Sequence, residues 1–158
     1  MSDRHEEFMH RAIALARASM LAGNGGPFGA VIVREGQIIG EGSNHVVKNH
    51  DPTAHGEVMA IRYACTQLKT FSLVGSVIYT TGQPCPMCLG AIHWARISSI
   101  YYGFSIKDAA AIGFDDSLLF DQFTLPQELR LIPSNEVCRD GALQLAHDYA
   151  SMPNRIAY

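Results

Sequence analysis

Ser76-Val77-Ile78-Tyr79-Thr80-Thr81-Gly82-Gln83-Pro84-Cys85-Pro86-Met87-Cys88 is the stretch on which the reading of this chain turns. Its first six residues are mostly β-branched or aromatic and predict a strand, ended by glycine and proline. Pro86 suits the first position of a helix, where its missing N–H needs no partner. Cys85 and Cys88 then stand three apart on that helix's opening turn and share a face. The positive helix end there favours thiolate over thiol. Upstream, the polar stretch 48–53 reads as a loop that delivers His55 to the start of another helix, running to about Leu68. His55-Gly56-Glu57 thus opens one helix and Cys85 to Cys88 another.

Together the two stretches supply one imidazole and two thiolates for a metal, with the Glu57 carboxylate left over. Structural zinc closes its tetrahedron with four protein ligands, whereas catalytic zinc takes three and keeps a water whose pKa falls to about 7. Glu57, two residues from a ligand, is close enough to move that water's proton. His-x-Glu followed by Pro-Cys-x-x-Cys is the signature of zinc nucleobase deaminases. A lone Cys-x-x-Cys is otherwise a redox pair or half of a zinc ribbon. A redox pair has no use for His-x-Glu. A ribbon needs a second pair, and the other cysteines, Cys65 and Cys138, stand alone.

The 158 residues, 47% of them hydrophobic, are enough for one domain with a real core. No apolar run approaches the ~20 residues of a membrane span. The N-terminal residues are polar and mixed in charge with no signal-like apolar core behind them, and free thiols fit a reducing compartment, so a cytoplasmic protein is expected. Net charge is −3, and the 12 Lys and Arg are dispersed without a run. A nucleic-acid binder must neutralise several phosphates, so that dispersion argues against one.

Working outward, Asp3 and Glu6 read as a capping box. Phe8, Ala12, Leu15, Ala16 and Ser19 fall on one face of the helix that follows, and Gly23 is its stop. Gly25 to Gly29 is a loop, Ala30 to Val33 a strand, Glu35-Gly36 a turn, and Gln37 to Gly42 the returning strand of a hairpin. Ile97 to Phe104 predicts a further strand. Beyond Lys107 the pattern breaks up; Leu129 to Ile132 reads as a last strand and Glu136 to Ala150 as a helix that Pro153 ends. The tail 154–158 is ordered only if something holds it. The order helix, hairpin, helix, strand, helix, strand predicts a three-layer α/β domain, a mixed central sheet flanked by helices, with the ligands at neighbouring strand ends.

At these residues the chain resembles the cytidine deaminase superfamily, and within it short, single-domain bacterial guanine deaminases. The resemblance covers almost the whole chain. It rests on Gly25-Gly26-Pro27-Phe28-Gly29-Ala30-Val31, Asp51-Pro52-Thr53-Ala54-His55, Pro84 through Ile92 with Trp94-Ala95-Arg96, and Gly113-Phe114-Asp115-Asp116-Ser117. It implies the cytidine-deaminase-like fold over residues 1–158, with 115–158 as a C-terminal segment exchanged between the subunits of a homodimer. It makes His55, Cys85 and Cys88 the ligands of Zn2+ and Glu57 the proton shuttle. Phe28 is placed against the base, Asn44 on its polar edge, Gly56 beside it through its backbone N–H, and Asp116 and Tyr158 around guanine or its leaving amine. Residue by residue, bland readings stand beside these: Phe28 as core, Asn44 as a turn residue, Asp115 or Asp116 as a helix cap, Tyr158 as a frayed end. Gly56 stands where most of the family has Ala, a Gly also seen at this place in fungal-type cytosine deaminases, and Gln83 stands where Glu is common.

The expected reaction is hydrolytic deamination of guanine to xanthine and ammonia. A cytosine deaminase shares every catalytic group, and a tRNA adenosine deaminase shares them too but wants a basic face. A zinc-stabilised interaction module without turnover would have no use for Glu57.

Overall fold

The computed structural model describes residues 2–158, with side chains from residue 4 onward. Apolar residues three and four apart build α1 (Ser2–Leu21), burying Phe8, Ala12, Ala16 and Ser19 as predicted. The Asp3–Glu6 cap depends on a side chain outside the described ones. Gly23 ends the helix at φ +72°: its N–H meets the Met20 carbonyl, and the Asn24 N–H meets that of Ser19.

The hairpin follows as β1 (Gly29–Arg34) and β2 (Gln37–Ser43), joined through Glu35 and Gly36, both at positive φ, as a tight hairpin turn requires. β3 (Ser76–Gly82) runs antiparallel to β1, and β4 (Ser99–Phe104) runs parallel to β3, giving a mixed sheet of order β2-β1-β3-β4. Residues of β1 alternate between two buried faces. Ala30 and Ile32, with Ile78 of β3, pack on α3 (Gly56–Leu68) and α4 (Pro86–Trp94) through Ala60, Ala64 and Ile92. Val31, Val33 and Tyr79 pack under Phe8 and Ala12 of α1. A strand covered on both sides reads as a continuous apolar run, as Ala30 to Val33 does. Three layers result, as expected. β2 lies so close to α3 that a Cβ at Gly42 would collide with the Gly56 carbonyl and the Ala60 amide.

Some elements depart from the reading of the sequence. A four-residue helix, α2 (Val46–Asn49), enters the stretch read as loop, too short to show a period. α5 (Ile106–Ala111) carries a complete Ser105–Asp108 capping box in the stretch that looked broken. β4 starts at Ser99 rather than Ile97, because Arg96 at φ +59° and an Ile97 N–H bonded to the Ile92 carbonyl still belong to the turn closing α4. Leu129 to Ile132 is not a strand. It is a 3-10 turn over Gln127–Leu129 followed by exposed residues, and Gln122 rather than a neighbouring strand takes the Leu131 N–H. The Leu129 and Arg130 amides are spent closing that turn on the Pro126 and Gln127 carbonyls rather than on a ladder.

The chain divides into a first unit ending at Phe120, which contains the sheet, and a second, Asp121–Tyr158. α6 (Ser117–Thr124) crosses from one to the other. The second unit holds α7 (Arg139–Ser151), beginning three residues later than predicted and followed by Pro153. Its tail is held by the Tyr149 hydroxyl, which donates to the Ile156 carbonyl at 2.8 Å. No helix among the described residues is long and apolar enough to cross a membrane.

Candidate metal centre and active site

Two helix N-termini meet under the sheet's β1 and β3 ends. His55 is the N-cap residue of α3 and Cys85 that of α4, with Pro86 next, as the sequence predicted. Neither side chain caps its own helix. An N-cap bond forgone costs about 1 kcal/mol, and here both side chains turn toward one another instead. His55 Nδ1 lies 3.7 Å from Cys85 Sγ and 3.5 Å from Cys88 Sγ. Tetrahedral zinc, with bonds of ~2.3 Å to sulfur and ~2.0 Å to nitrogen, sets such atoms roughly 3.5 Å apart. All three donor atoms lie within 4.8 Å of one another. Cys85 and Cys88 are buried and His55 is half-buried. Soft sulfur plus imidazole is a donor set for zinc, and these residues fit it. Neither Cys65 nor Cys138 joins the cluster.

The hydrogen bond between the two thiols drives their proton affinities apart. Cys85 is pulled down to about 4, first by its hydrogen bond with Cys88 and then, against burial, by His55. Cys88 is pushed up by that same bond to Cys85 and by burial. His55 rises above its ordinary value, chiefly through its hydrogen bond to Cys85. Glu57, in the first turn of α3, is 6% exposed, and burial pushes its carboxyl up. A carboxyl so placed accepts a proton readily, which is what a shuttle needs.

His55 and Cys85 open onto a pocket of ≈ 430 Å³, within the range of small-molecule sites. Phe28, Asn44, His55, Glu57, Cys85 and Asp116 all line it. Asn44 is buried at the end of the hairpin; its Oδ1 accepts the Val46 N–H at 3.1 Å, so its NH2 group is what it offers a ligand. Gly25 makes room for that amide, since a Cβ there would collide with Asn44 Oδ1. Phe28 is half-buried, edge-on to Phe114 with centroids 4.9 Å apart. Gly56 is buried, and a Cβ on it would come 3.1 Å from the Phe28 carbonyl.

The two neighbouring aspartates part company. Asp115 accepts the Ser117 N–H at 2.9 Å and is a helix-opening residue. Asp116 lines the pocket, its carboxyl raised by burial and by the Cys85 thiolate. Tyr158 ends the second unit, 70% exposed. Among the remaining histidines, His45 faces the Ser43 carbonyl at 2.8 Å, in keeping with a structural part.

The sequence reading missed Val46, Val47 and Phe114 as pocket-lining residues. The two valines sit on the short α2. Phe114 lies inside the quoted Gly113–Ser117 stretch and, as an aromatic beside a positive-φ glycine (Gly113, φ +96°), was open to notice.

The chain belongs to a zinc-binding deaminase family: the family model described as the cytidine and deoxycytidylate deaminase zinc-binding region matches residues 2–104. That span holds His55, Cys85 and Cys88, the three candidate metal donors, and Glu57. Among its relatives is the guanine deaminase of Bacillus subtilis (strain 168), 46% identical over 154 residues, which are 98% of this chain and 99% of that one. The X-ray structure of that guanine deaminase superposes with a TM-score of 0.94, covering 98% of each chain. A tRNA-specific adenosine deaminase of Buchnera aphidicola (subsp. Baizongia pistaciae) is 44% identical over 108 residues, 68% of this chain and 66% of that one. A variant protein crystallised in complex with 8-azaguanine is 30% identical, with a TM-score of 0.69 over 94% of this chain and 86% of that chain.

Proposed function

We propose that this protein is a zinc-dependent guanine deaminase, converting guanine and water to xanthine and ammonia. The observation that carries the reading is the end-to-end match to a guanine deaminase, 98% of one chain on 99% of the other, around an intact His55, Cys85, Cys88 and Glu57 set. Zinc, when bound, supplies a water acidic enough to lose its proton near pH 7. With zinc bound, Glu57 would take that proton and deliver it to the ring nitrogen beside the carbon under attack, then carry a second proton, from the hydroxyl newly added to that carbon, to the departing amine as the carbonyl forms. Its burial and raised affinity for protons support this part. Phe28 holds the base plane, the Asn44 NH2 donates to an acceptor on the base edge, and the Gly56 N–H lies beside the base. Asp116 holds the amine side. A polar edge fully paired in a dry pocket is what rejects the wrong base.

The whole chain, 1–158, acts as one deaminase domain working as a homodimer, in which the part of the 115–158 segment beyond Asp116, itself in this chain's own pocket, crosses to the partner and brings Tyr158 over the partner's pocket. Support comes from the second unit's own surface, where Leu131, Ile132, Val137 and Leu145 are all more than 65% exposed in the isolated chain. The four free cysteines agree with a cytoplasmic enzyme.

A second reading, deamination of adenosine in tRNA, is favoured by the 44% identity to a tRNA-specific enzyme over 108 residues. Ammonia release from guanine, cytosine, adenine, their nucleosides and tRNA separates the readings. Guanine is expected to exceed every other substrate in kcat/KM at least tenfold, an order-of-magnitude expectation for a site that pairs the whole base edge. Faster turnover of tRNA or cytosine overturns the assignment.

A further inference from the structure

We propose that Thr81 is a positioning residue whose hydroxyl fixes Phe28, the aromatic wall of the pocket, by pinning the backbone on both sides of it. Thr81 lies near the end of β3 and is 4% exposed. Its Oγ1 donates to the Pro27 carbonyl at 3.0 Å and accepts the Gly29 N–H at 3.1 Å. The residue between those two groups is Phe28. One side-chain atom therefore acts as donor and acceptor to the peptides flanking one aromatic ring, and a single rotamer sets both.

The surroundings leave Phe28 little other freedom. Its N–H donates to the Gly26 carbonyl and its own carbonyl accepts the Asn44 N–H, each at 2.8 Å. On the α3 side, Gly56 packs so tightly that a Cβ would lie 3.1 Å from the Phe28 carbonyl and 3.2 Å from Gly29 Cα. Thr81 itself faces a separate groove, with Ala16, Met20 and Phe104, and does not line the pocket. It acts through Phe28. Four residues further on, the same stretch delivers Cys85 and then Cys88, so the two sulfur donors and the hydroxyl that holds the aromatic wall trace to one strand. Their spacing sets where a base plane lies relative to the metal, and Thr81 is the bolt that transmits it.

The substrate part rests on the deaminase reading above; the placement of Phe28 does not, and the test separates the two. Thr81→Val keeps the shape and removes both hydrogen bonds, while Thr81→Ser keeps the hydroxyl. Zinc content is measured for each, together with KM and kcat on guanine. A para-fluorophenylalanine at position 28 reports the ring by fluorine NMR in the substrate-free, zinc-loaded protein. Thr81→Val is expected to keep one zinc per chain and raise KM roughly tenfold with kcat within about threefold of wild type. Its fluorine resonance shifts or broadens, and Thr81→Ser restores both readouts. In a Phe28→Ala background Thr81→Val adds no further rise, because residues acting through one another are not additive. Should the valine chain fail to fold, Thr81→Cys, a weaker donor and acceptor, carries the same comparisons. An unchanged fluorine resonance in Thr81→Val, or a KM penalty that persists in full without the Phe28 ring, overturns the proposal. A wild-type protein inactive on guanine would sink the functional reading and leave the resonance to decide on Thr81.

Discussion

Glu57→Gln separates the chemistry of the site from its construction. Gln keeps the size and polarity of the side chain, so α3 and the three metal donors have no reason to move. Burial already pushes the Glu57 carboxyl toward its neutral form, so a neutral amide in its place costs little stability. What disappears is a group that can both take and give a proton. Acid–base catalysis by one positioned side chain is typically worth ~100- to 10,000-fold. In the proposed reaction a single carboxyl serves the nucleophile, the ring nitrogen and the leaving amine in turn, so the loss belongs at the upper end, about 5 kcal/mol at 1.36 kcal/mol per tenfold. The other carboxyl lining the pocket, Asp116, is assigned to the amine side and does not replace it. The assay is kcat on guanine together with metal content and thermal midpoint. One zinc per chain, a midpoint near wild type and a rate down by about four orders of magnitude are expected. A variant that keeps a tenth of the wild-type rate would refute the shuttle role.

Gly42→Ala forces a methyl against the Gly56 carbonyl and the Ala60 amide; a core overpacked in this way loses ~1–3 kcal/mol, seen as a lower thermal midpoint, and an unchanged midpoint would mean α3 yields freely. Arg11 donates twice to Glu41, at 2.7 and 2.8 Å, and that hydrogen bond with the guanidinium charge holds the Glu41 carboxyl below its ordinary 4.5. The folded value is depressed, so the stabilisation is present above pH 4.5 and lost as pH falls through the folded value. Arg11→Met should therefore cost ~0.5 kcal/mol at pH 7 for so exposed a pair, with the deficit in denaturant melts fading at lower pH; an equal deficit at pH 3 would assign it to packing. Deleting residues 154–158 is expected to leave zinc and the dimer in place, by metal analysis and sedimentation, while cutting kcat/KM on guanine steeply; an unchanged rate would remove Tyr158 from the site.

The legible parts of the sequence were those where local chemistry and tertiary packing ask for the same residue. Pro86 after Cys85, and His55 before a helical run, locate both helix starts and the metal donors from chain order alone. α1 announced itself through a regular apolar face and a glycine stop. Leu129 to Ile132 misled because a short β-branched or aliphatic run carries no information about whether a partner strand exists. α2 escaped notice because four residues cannot show a period. Asp115 and Asp116 were indistinguishable as types, and only the backbone path sends one to the Ser117 amide and the other to the pocket. Thr81 looked like any β-branched strand residue, since its two hydrogen bonds reach 52 and 54 residues back along the chain.

Zinc-dependent deamination of guanine is tested most directly by product and metal together. Purified protein is incubated with guanine as isolated, after stripping with a chelator, and after reloading with one equivalent of zinc, and xanthine and ammonia are quantified. The account predicts xanthine and ammonia in equal amounts, turnover abolished by stripping and restored by zinc. Guanine left intact by the zinc-loaded protein, or an undiminished rate after the metal is gone, would contradict it.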